Sequence, residues 1–147
     1  MGTDGYKAPE IHKIMMPQEQ ATNSDDNSKA YSKNNPMTND NSMLGYSGVK
    51  ADIFALGVIL FTLHFGVPPF KLACREDRNY KLLSFKSNAV DRKTSLKFFL
   101  RNHPATKPLL DANQIDYELM DLITKLLEED PLERPSNIQD IRAHPYL

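Results

Sequence analysis

The sequence predicts a mainly α-helical chain that is built around one central apolar helix and interrupted by one disordered insertion. Almost every residue from Ala51 to Phe65 is apolar, whereas the chain on either side of this run is polar. A second stretch, from Ile115 to Leu127, places its apolar residues at helical spacing. No convincing pair of strands is present in the sequence, so a helical fold class follows.

The composition is that of one ordinary domain. The 147 residues carry 18 Lys and Arg against 19 Asp and Glu, which gives no strong attraction to nucleic acid or to a membrane. The single cysteine, Cys74, excludes an internal disulfide bond and a cysteine-rich metal site. The first fifteen residues contain no continuous apolar core behind a basic start, so we expect no signal peptide. We therefore expect a cytoplasmic or nuclear protein.

The N-terminal segment predicts a compact turn that enters a short helix. Gly2 and Gly5 favour the turn, and Pro9 suits the first turn of a helix. From residue 17 to residue 43 the chain is rich in Asn, Ser, Asp and Gln, with almost nothing to bury. The entropy of ordering such a segment is not offset, so we interpret residues 17–43 as a disordered, low-complexity insertion. A plain surface linker is the simplest role, and a phosphorylated regulatory segment is the alternative.

The apolar run is too long for an ordinary strand and carries the start and stop signals of a helix. Ser47 is a suitable N-cap, and Gly66 with two prolines shortly after it is a stop signal. These signals predict a helix from about Gly48 to Phe65. A helix that is apolar all round lies in a protein core or in a membrane. Only eleven uncharged residues separate Asp52 from His64, short of the ~18 to 20 of a membrane span, so we predict a central core helix.

A turn and an exposed helix are predicted after the central helix. Residues 67–70 form a rigid turn with two prolines that presents Phe70. The mixed and polar residues 72–83 predict an exposed helix, with Tyr80 and Leu83 as its inward side chains.

A loop is predicted next, over residues 84–95, because few apolar side chains occur there. Residues 96–103 then predict a short helix that Pro104 stops. We expect both Phe98 and Phe99 to lie in the core.

Residues 115–127 predict the most regular amphipathic helix of the chain. Its five apolar positions match one face of a helix, and Asp116 is placed to cap its start. Pro131 ends it, because a proline disfavours the helical conformation of the residue before it. A capping box of Ser136 and Gln139 predicts a final short helix.

Three separated pieces of the sequence resemble the C-terminal lobe (C-lobe) of eukaryotic protein kinases. They are GTDGYKAPE at residues 2–10, then Asp52 and Gly57 in the apolar helix, then Asp130-Pro131 with Arg134-Pro135 behind a leucine-rich helix. The Ala-Pro-Glu motif is one of the family's signatures. Alone it is weakly specific, but the three pieces occur in the family's order. The resemblance implies a partial protein-kinase-like fold, helical C-lobe only, over residues 1–147.

The first piece also indicates the substrate class. It looks like the P+1 loop of serine/threonine kinases, which lies beneath the residue that follows the phosphorylated one. Tyrosine kinases usually carry a proline and a tryptophan there. The resemblance implies substrate-binding roles for Thr3, Tyr6, Lys7 and Ala8, with Thr3 directed towards the catalytic aspartate. Taken alone, GTDG is only a turn.

Four further residues match structural positions of the family. Glu10 and Arg134, 124 positions apart, match a buried ion pair that fixes the P+1 loop to the helical core. The alternative is two solvated surface charges. Asp52 matches a helix carboxylate that accepts hydrogen bonds from the catalytic loop, and it also suits the helix dipole. Gly57 follows Asp52 at the family's spacing, and Phe54 departs from the tryptophan that many members carry.

The motifs that perform catalysis in this family are not found in the sequence. It has no Gly-rich loop, no Ala-x-Lys strand, no His-Arg-Asp and no Asp-Phe-Gly, the parts that position ATP and Mg²⁺. The four histidines show no metal-ligand spacing. We therefore predict no catalytic, cofactor-binding or metal residue in this chain, and the resemblance assigns ATP and Mg²⁺ to the full-length parent.

Two functions remain open at this point. The first is the C-terminal part of a serine/threonine protein kinase domain, which supplies the substrate-binding platform. Its partners are a protein substrate and the missing upstream kinase portion, without nucleic acid or membrane. The second is a non-catalytic kinase-like binding module or decoy. We expect the isolated chain to be catalytically incompetent, to expose apolar surface and not to bind ATP.

Overall fold

The computed structural model describes residues 4–15, 46–84 and 91–147. These ranges contain helices and 3₁₀ turns but no strand, so the mainly α prediction is confirmed. The helices are α1 (Pro9–Met15), α2 (Gly48–Phe65), α3 (Arg78–Ser84), α4 (Arg92–Asn102), α5 (Lys107–Asp111), α6 (Tyr117–Leu126) and α7 (Ile138–Arg142). The 3₁₀ turns span Asp4–Tyr6 and Pro131–Glu133. The predicted insertion, residues 17–43, lies outside the described residues.

The central helix α2 has the limits that the sequence predicts, Gly48 to Phe65. The Ser47 hydroxyl accepts a hydrogen bond from the Lys50 amide at 3.4 Å, which caps the N-terminus. Gly66 ends the helix with a φ of 78°, where a side chain would be strained. Its amide donates to the Thr62 carbonyl at 2.8 Å. Both predicted end signals are therefore confirmed.

Helices α2 and α6 pack together at the centre of the core. Phe54, Val58 and Phe61 on α2 are fully buried. Gly57 lets the two helices approach closely, since a Cβ atom at this position would lie 2.9 Å from the Cβ atom of Leu126. Cβ atoms do not approach each other so closely in proteins, so the crossing requires glycine.

The other side of α2 is open to solvent. Leu56, Ile59 and Leu63 are exposed, Leu63 to 79%. By length and composition alone α2 could cross a membrane, but its buried side chains lie in the protein core. The core prediction is confirmed for one side of the helix, and the expected exposed apolar surface is present on the other.

Helix α3 is shorter than predicted, because the residues before Arg78 form bends and a turn. Asp77 explains the difference. Its carboxylate accepts hydrogen bonds from the amides of Asn79 and Tyr80 at 2.9 and 3.1 Å, and from the Lys71 amide at 2.9 Å. These bonds cap the helix and hold the preceding loop in a non-helical path. Both predicted inward side chains are buried.

Helix α4 begins earlier than predicted, because Asp91 caps it. The Asp91 carboxylate accepts from the amide and the hydroxyl of Thr94 at 2.9 and 2.8 Å. The predicted loop is therefore wrong at its C-terminal end. Phe99 is fully buried but Phe98 is 48% exposed, so the predicted core position of Phe98 is also wrong. Neighbouring helical residues point about 100° apart, and only one of the two rings faces the core.

His103 ends α4 inside an aromatic cluster. Its ring stacks on Phe99 with the centroids 5.0 Å apart, and it meets Phe61 edge-on at 5.2 Å. Nε2 lies 3.2 Å from the Pro68 carbonyl oxygen, and Nδ1 accepts from the Ala105 amide at 3.3 Å. These contacts fit a neutral ring that is protonated on Nε2. Burial lowers the pKa of His103, which favours that neutral form.

The C-terminal helices follow the sequence signals with one shift. Asp116 caps α6 as predicted, accepting two amide hydrogen bonds at 3.0 Å. Asn137 caps α7 by accepting from the Asp140 amide at 3.0 Å, so the predicted box of Ser136 and Gln139 lies one residue early. Helix α5 has no counterpart in the prediction, because its five residues are too few for a periodic pattern.

Candidate functional site

The Arg134 side chain is fully buried and joins three separate segments of the chain. Nη1 and Nη2 donate to the two carboxylate oxygens of Glu10 at 2.7 and 2.9 Å, which makes a bidentate ion pair. Nε donates to the Glu128 carbonyl at 2.7 Å, Nη1 to the Lys50 carbonyl at 2.9 Å and Nη2 to the Glu129 carbonyl at 3.2 Å. All five N–H groups of the guanidinium therefore have acceptors.

Local turns place both partners of this ion pair. Pro9 begins α1 and sets Glu10 in its first turn. The Asp130 carboxylate accepts from the Leu132 amide at 2.9 Å, which forms the 3₁₀ turn that ends just before Arg134. The structure thus brings together Glu10 and Arg134, the two residues that the resemblance pairs.

Lys50 completes the junction, and the sequence analysis missed it. Its ammonium group donates to the carbonyl oxygens of Arg134 and Pro135 at 2.7 and 3.2 Å. Its own carbonyl oxygen accepts from the Arg134 guanidinium at 2.9 Å. The closest partners of Lys50 are backbone carbonyls, which every residue type has, and the Ser136 hydroxyl oxygen lies farther away at 3.4 Å, so no pattern in the sequence indicates this role.

An aromatic cluster lies against the ion pair. The guanidinium carbon of Arg134 is 4.9 Å from the centroid of the Phe54 ring, within the range of a cation–π contact. Phe54 contacts Phe70 and Tyr80, with the centroids 6.1 and 6.4 Å apart. Burial raises the pKa of Tyr80, and the negative charge of Glu129 adds to the effect. Tyr80 is therefore neutral at physiological pH and serves the packing of the cluster.

The segment predicted to bind substrate precedes α1. Thr3 lies outside the described residues. Tyr6 is 40% exposed, whereas Ala8 is fully buried. The Lys7 ammonium donates to the Asp4 carboxylate at 2.7 Å, and this hydrogen bond lowers the pKa of Asp4. Tyr6 and Lys7 are thus accessible to a peptide, while Ala8 anchors the segment in the core.

The two remaining predicted residues lie on different sides of α2. Asp52 is exposed, and its side chain makes no hydrogen bond or ion pair within the described structure. Gly57 lies at the buried crossing with α6. Asp52 is therefore available to a further group, whereas Gly57 acts through packing alone.

No site for ATP or Mg²⁺ is assigned to the described residues. They contain no group of three or more His, Cys, Asp or Glu side chains that could hold a metal ion. A cleft of about 590 Å³ lies beside the Arg134 junction, and both acidic and basic side chains line it. Its cations Lys13 and Arg75 pair with Glu129, so they are already neutralised by a neighbouring carboxylate. No step of catalysis can be assigned to these residues.

The chain is similar to known protein kinases in sequence. Residues 15–147 match the protein-family model described as protein kinase domain, so the GTDGYKAPE segment lies before the matched range. The chain is 34% identical over 98 residues to the "Probable cell cycle serine/threonine-protein kinase CDC5 homolog" of Encephalitozoon cuniculi, which covers 67% of this chain and 16% of that protein. No solved structure matches the chain.

Two further relatives are also serine/threonine kinases by name. The chain is 30% identical over 96 residues to "Serine/threonine-protein kinase OXI1" of Arabidopsis thaliana, covering 65% of this chain and 17% of that protein. It is 31% identical over 102 residues to the human "SNF-related serine/threonine-protein kinase", covering 69% of this chain and 10% of that protein. The chain therefore spans less than a fifth of the length of these relatives.

Proposed function

The chain belongs to the protein kinase family, and on this premise we propose that it is the C-lobe part of a serine/threonine kinase domain that supplies the substrate-binding platform. The observation that carries the proposal is the bidentate pair between Arg134 and Glu10. It fixes α1, and with it the accessible residues Tyr6 and Lys7, to the core of α2 and α6. A platform must hold such groups in a fixed geometry, because orientation supplies much of the rate of phosphoryl transfer.

The full-length parent would transfer the phosphoryl group of Mg-ATP to a protein Ser or Thr hydroxyl. In this proposal an upstream kinase portion supplies the groups that bind ATP and Mg²⁺, covers the exposed side of α2 and bonds to Asp52. The isolated chain is then catalytically incompetent. Its partners are that upstream portion and a protein substrate in the cytoplasm or nucleus, and neither nucleic acid nor a membrane takes part.

ATP binding by the chain alone tests the proposed incompetence. We expect its melting temperature to stay constant in Mg-ATP. A site occupied at about 100 times its Kd would stabilise the fold by about 2.7 kcal/mol and raise the melting temperature by several degrees. A rise of that size contradicts this part of the proposal.

Substrate kinetics test the platform, with the chain joined to its upstream portion. We expect Tyr6→Ala to raise the KM for a Ser/Thr peptide about tenfold, the effect of ~1.4 kcal/mol, without changing the KM for ATP. Met15→Ala is the matched control, because Met15 is also exposed but lies at the other end of α1. Equal effects of the two variants contradict the platform. Peptide binding without any phosphoryl transfer would favour the alternative, a non-catalytic binding module.

A further inference from the structure

Basic residues are concentrated in one part of the chain. Residues 71–107 contain ten Lys and Arg and three Asp and Glu, which is a net charge of +7. The rest of the chain contains eight Lys and Arg and sixteen Asp and Glu, a net charge of −8. A nearly neutral total therefore conceals a basic region, and such a region produces a local positive potential.

Six cations of this region are exposed on and beside α3 and α4, and we call this set the basic face. They are Lys71, Arg78, Lys81, Lys93, Lys97 and Arg101. The last three follow one another at intervals of four residues on α4, so they line one side of that helix about 6 Å apart. Helix α3 packs against α4, which joins the two rows of cations.

The cations of the basic face make no ion pair within the described structure. Some other cations do have such partners: Arg92, on the same helix, pairs with the buried Glu128, and Lys125 pairs with Asp121. Asp91 is close enough to Lys93 for their charges to interact, but the six like charges of the face outnumber it, so the face favours the binding of an anionic group. The exposed ring of Phe98 lies next to Lys97 in the sequence of α4 and offers apolar contact as well.

The basic face begins beside the segment proposed to bind substrate. A Cβ atom on Gly5 would lie 3.2 Å from the carbonyl oxygen of Lys71, so the two segments are in direct contact. The Lys71 amide in turn bonds to the Asp77 carboxylate that caps α3. A peptide that lies over Tyr6 can therefore continue onto the basic face.

We propose that the basic face binds an acidic segment of the protein substrate, with carboxylates at alternate positions of an extended chain. Alternate residues of an extended chain lie about 6.6 Å apart, close to the ~6 Å between successive cations on α4. The inference rests on the proposed function and names its substrate class. A membrane or a long nucleic acid would also meet the acidic remainder of this chain, and one exposed Phe98 is not a row of rings for stacking bases.

Fluorescence anisotropy with a labelled peptide of alternating Glu and Ser around one Phe tests the inference on the 147-residue chain. We expect the triple variant Lys93→Gln, Lys97→Gln, Arg101→Gln to bind at least about tenfold more weakly. A peptide with Gln in place of Glu should not bind. Binding should weaken as NaCl rises from about 0.1 to 1 M, because the screening length falls from about 10 to 3 Å.

A matched control removes the same charge elsewhere. The variant Lys13→Gln, Lys125→Gln, Arg142→Gln has the same net charge as the first, and we expect its affinity to stay within about twofold of the parent chain. Circular dichroism melting curves establish that both variants are folded. Equal losses in the two variants would show an effect of net charge alone and overturn the inference.

Two other anions complete the experiment. One outcome is that single-stranded DNA or phosphatidylserine vesicles bind more tightly than the acidic peptide and lose that binding in the Lys93, Lys97 and Arg101 triple variant. That result would assign the basic face to the polyanion and contradict the inference that it binds a peptide. The anisotropy assay contains no ATP and measures peptide binding alone. If the acidic peptide does not bind, the expected KM effect of Tyr6→Ala is therefore unaffected. Loss of that KM effect with peptide binding intact would instead contradict the proposed function, and with it the assignment to a substrate.

Discussion

Arg134→Ala would remove five hydrogen bonds and leave the Glu10 carboxylate, which is 16% exposed, without its counter-charge. Removing one partner of a buried ion pair costs about 3–5 kcal/mol. For a chain of this length, 1 kcal/mol corresponds to about 2–4 °C in melting temperature. We therefore expect the melting temperature to fall by roughly 6–20 °C.

The assay is thermal unfolding followed by far-UV circular dichroism. Lys125→Ala is the control, because it breaks an exposed pair with Asp121 that contributes about 0.3–0.5 kcal/mol. Arg134→Lys keeps the charge but loses the bidentate geometry, so it should melt between the parent chain and Arg134→Ala. If Arg134→Ala melts at the same temperature as Lys125→Ala, the ion pair does not hold the segments together.

Three further perturbations follow from the packing. Gly57→Ala places a Cβ atom 2.9 Å from the Cβ atom of Leu126 and should cost about 1–3 kcal/mol in urea unfolding. Gly48→Ala, whose Cβ meets nothing within 4 Å, should be neutral, and equal costs would contradict the close helix crossing. Burial lowers the pKa of His103 in the folded chain. As the pH falls through about 6.5, the unfolded chain therefore binds a proton at His103 before the folded chain does. The folded state is thereby destabilised, and the urea midpoint should drop between about pH 7.5 and 5. His103→Gln should reduce that drop, and an unchanged drop would exclude His103 as its source. Leu63→Gln should reduce light scattering at high protein concentration without lowering the melting temperature, whereas a fall of several degrees would show that Leu63 is packed in the folded chain.

The limits of α2 could be predicted to the residue because both signals are local. Ser47 and Gly66 act within one turn of the helix, through hydrogen bonds to Lys50 and Thr62. The start of α4 is also local, but Asp91 precedes polar residues that show no apolar period. Tertiary packing decided the choice of Phe99 rather than Phe98 for the core.

The candidate site depended on the resemblance far more than on patterns in the sequence. Nothing local connects Glu10 with Arg134, and spacing alone would have left both as surface charges. The role of Lys50 could not be predicted from the sequence either, because a bond to a backbone carbonyl requires no particular residue type in the partner. Charge counts over windows would have found the basic face, whereas the total net charge concealed it.

The reciprocal bonds between Lys50 and Arg134 have a consequence for local unfolding. Each residue donates from its side chain to the backbone carbonyl of the other, and Glu10 attaches α1 to the same pair. If the segment that carries Arg134 opens, its bonds to both of the other segments are broken as well. Amide hydrogens of α1 and of the first turn of α2 should therefore lose protection when the Arg134 segment opens. A helix of only seven residues, α1, thereby gains the protection of the protein core.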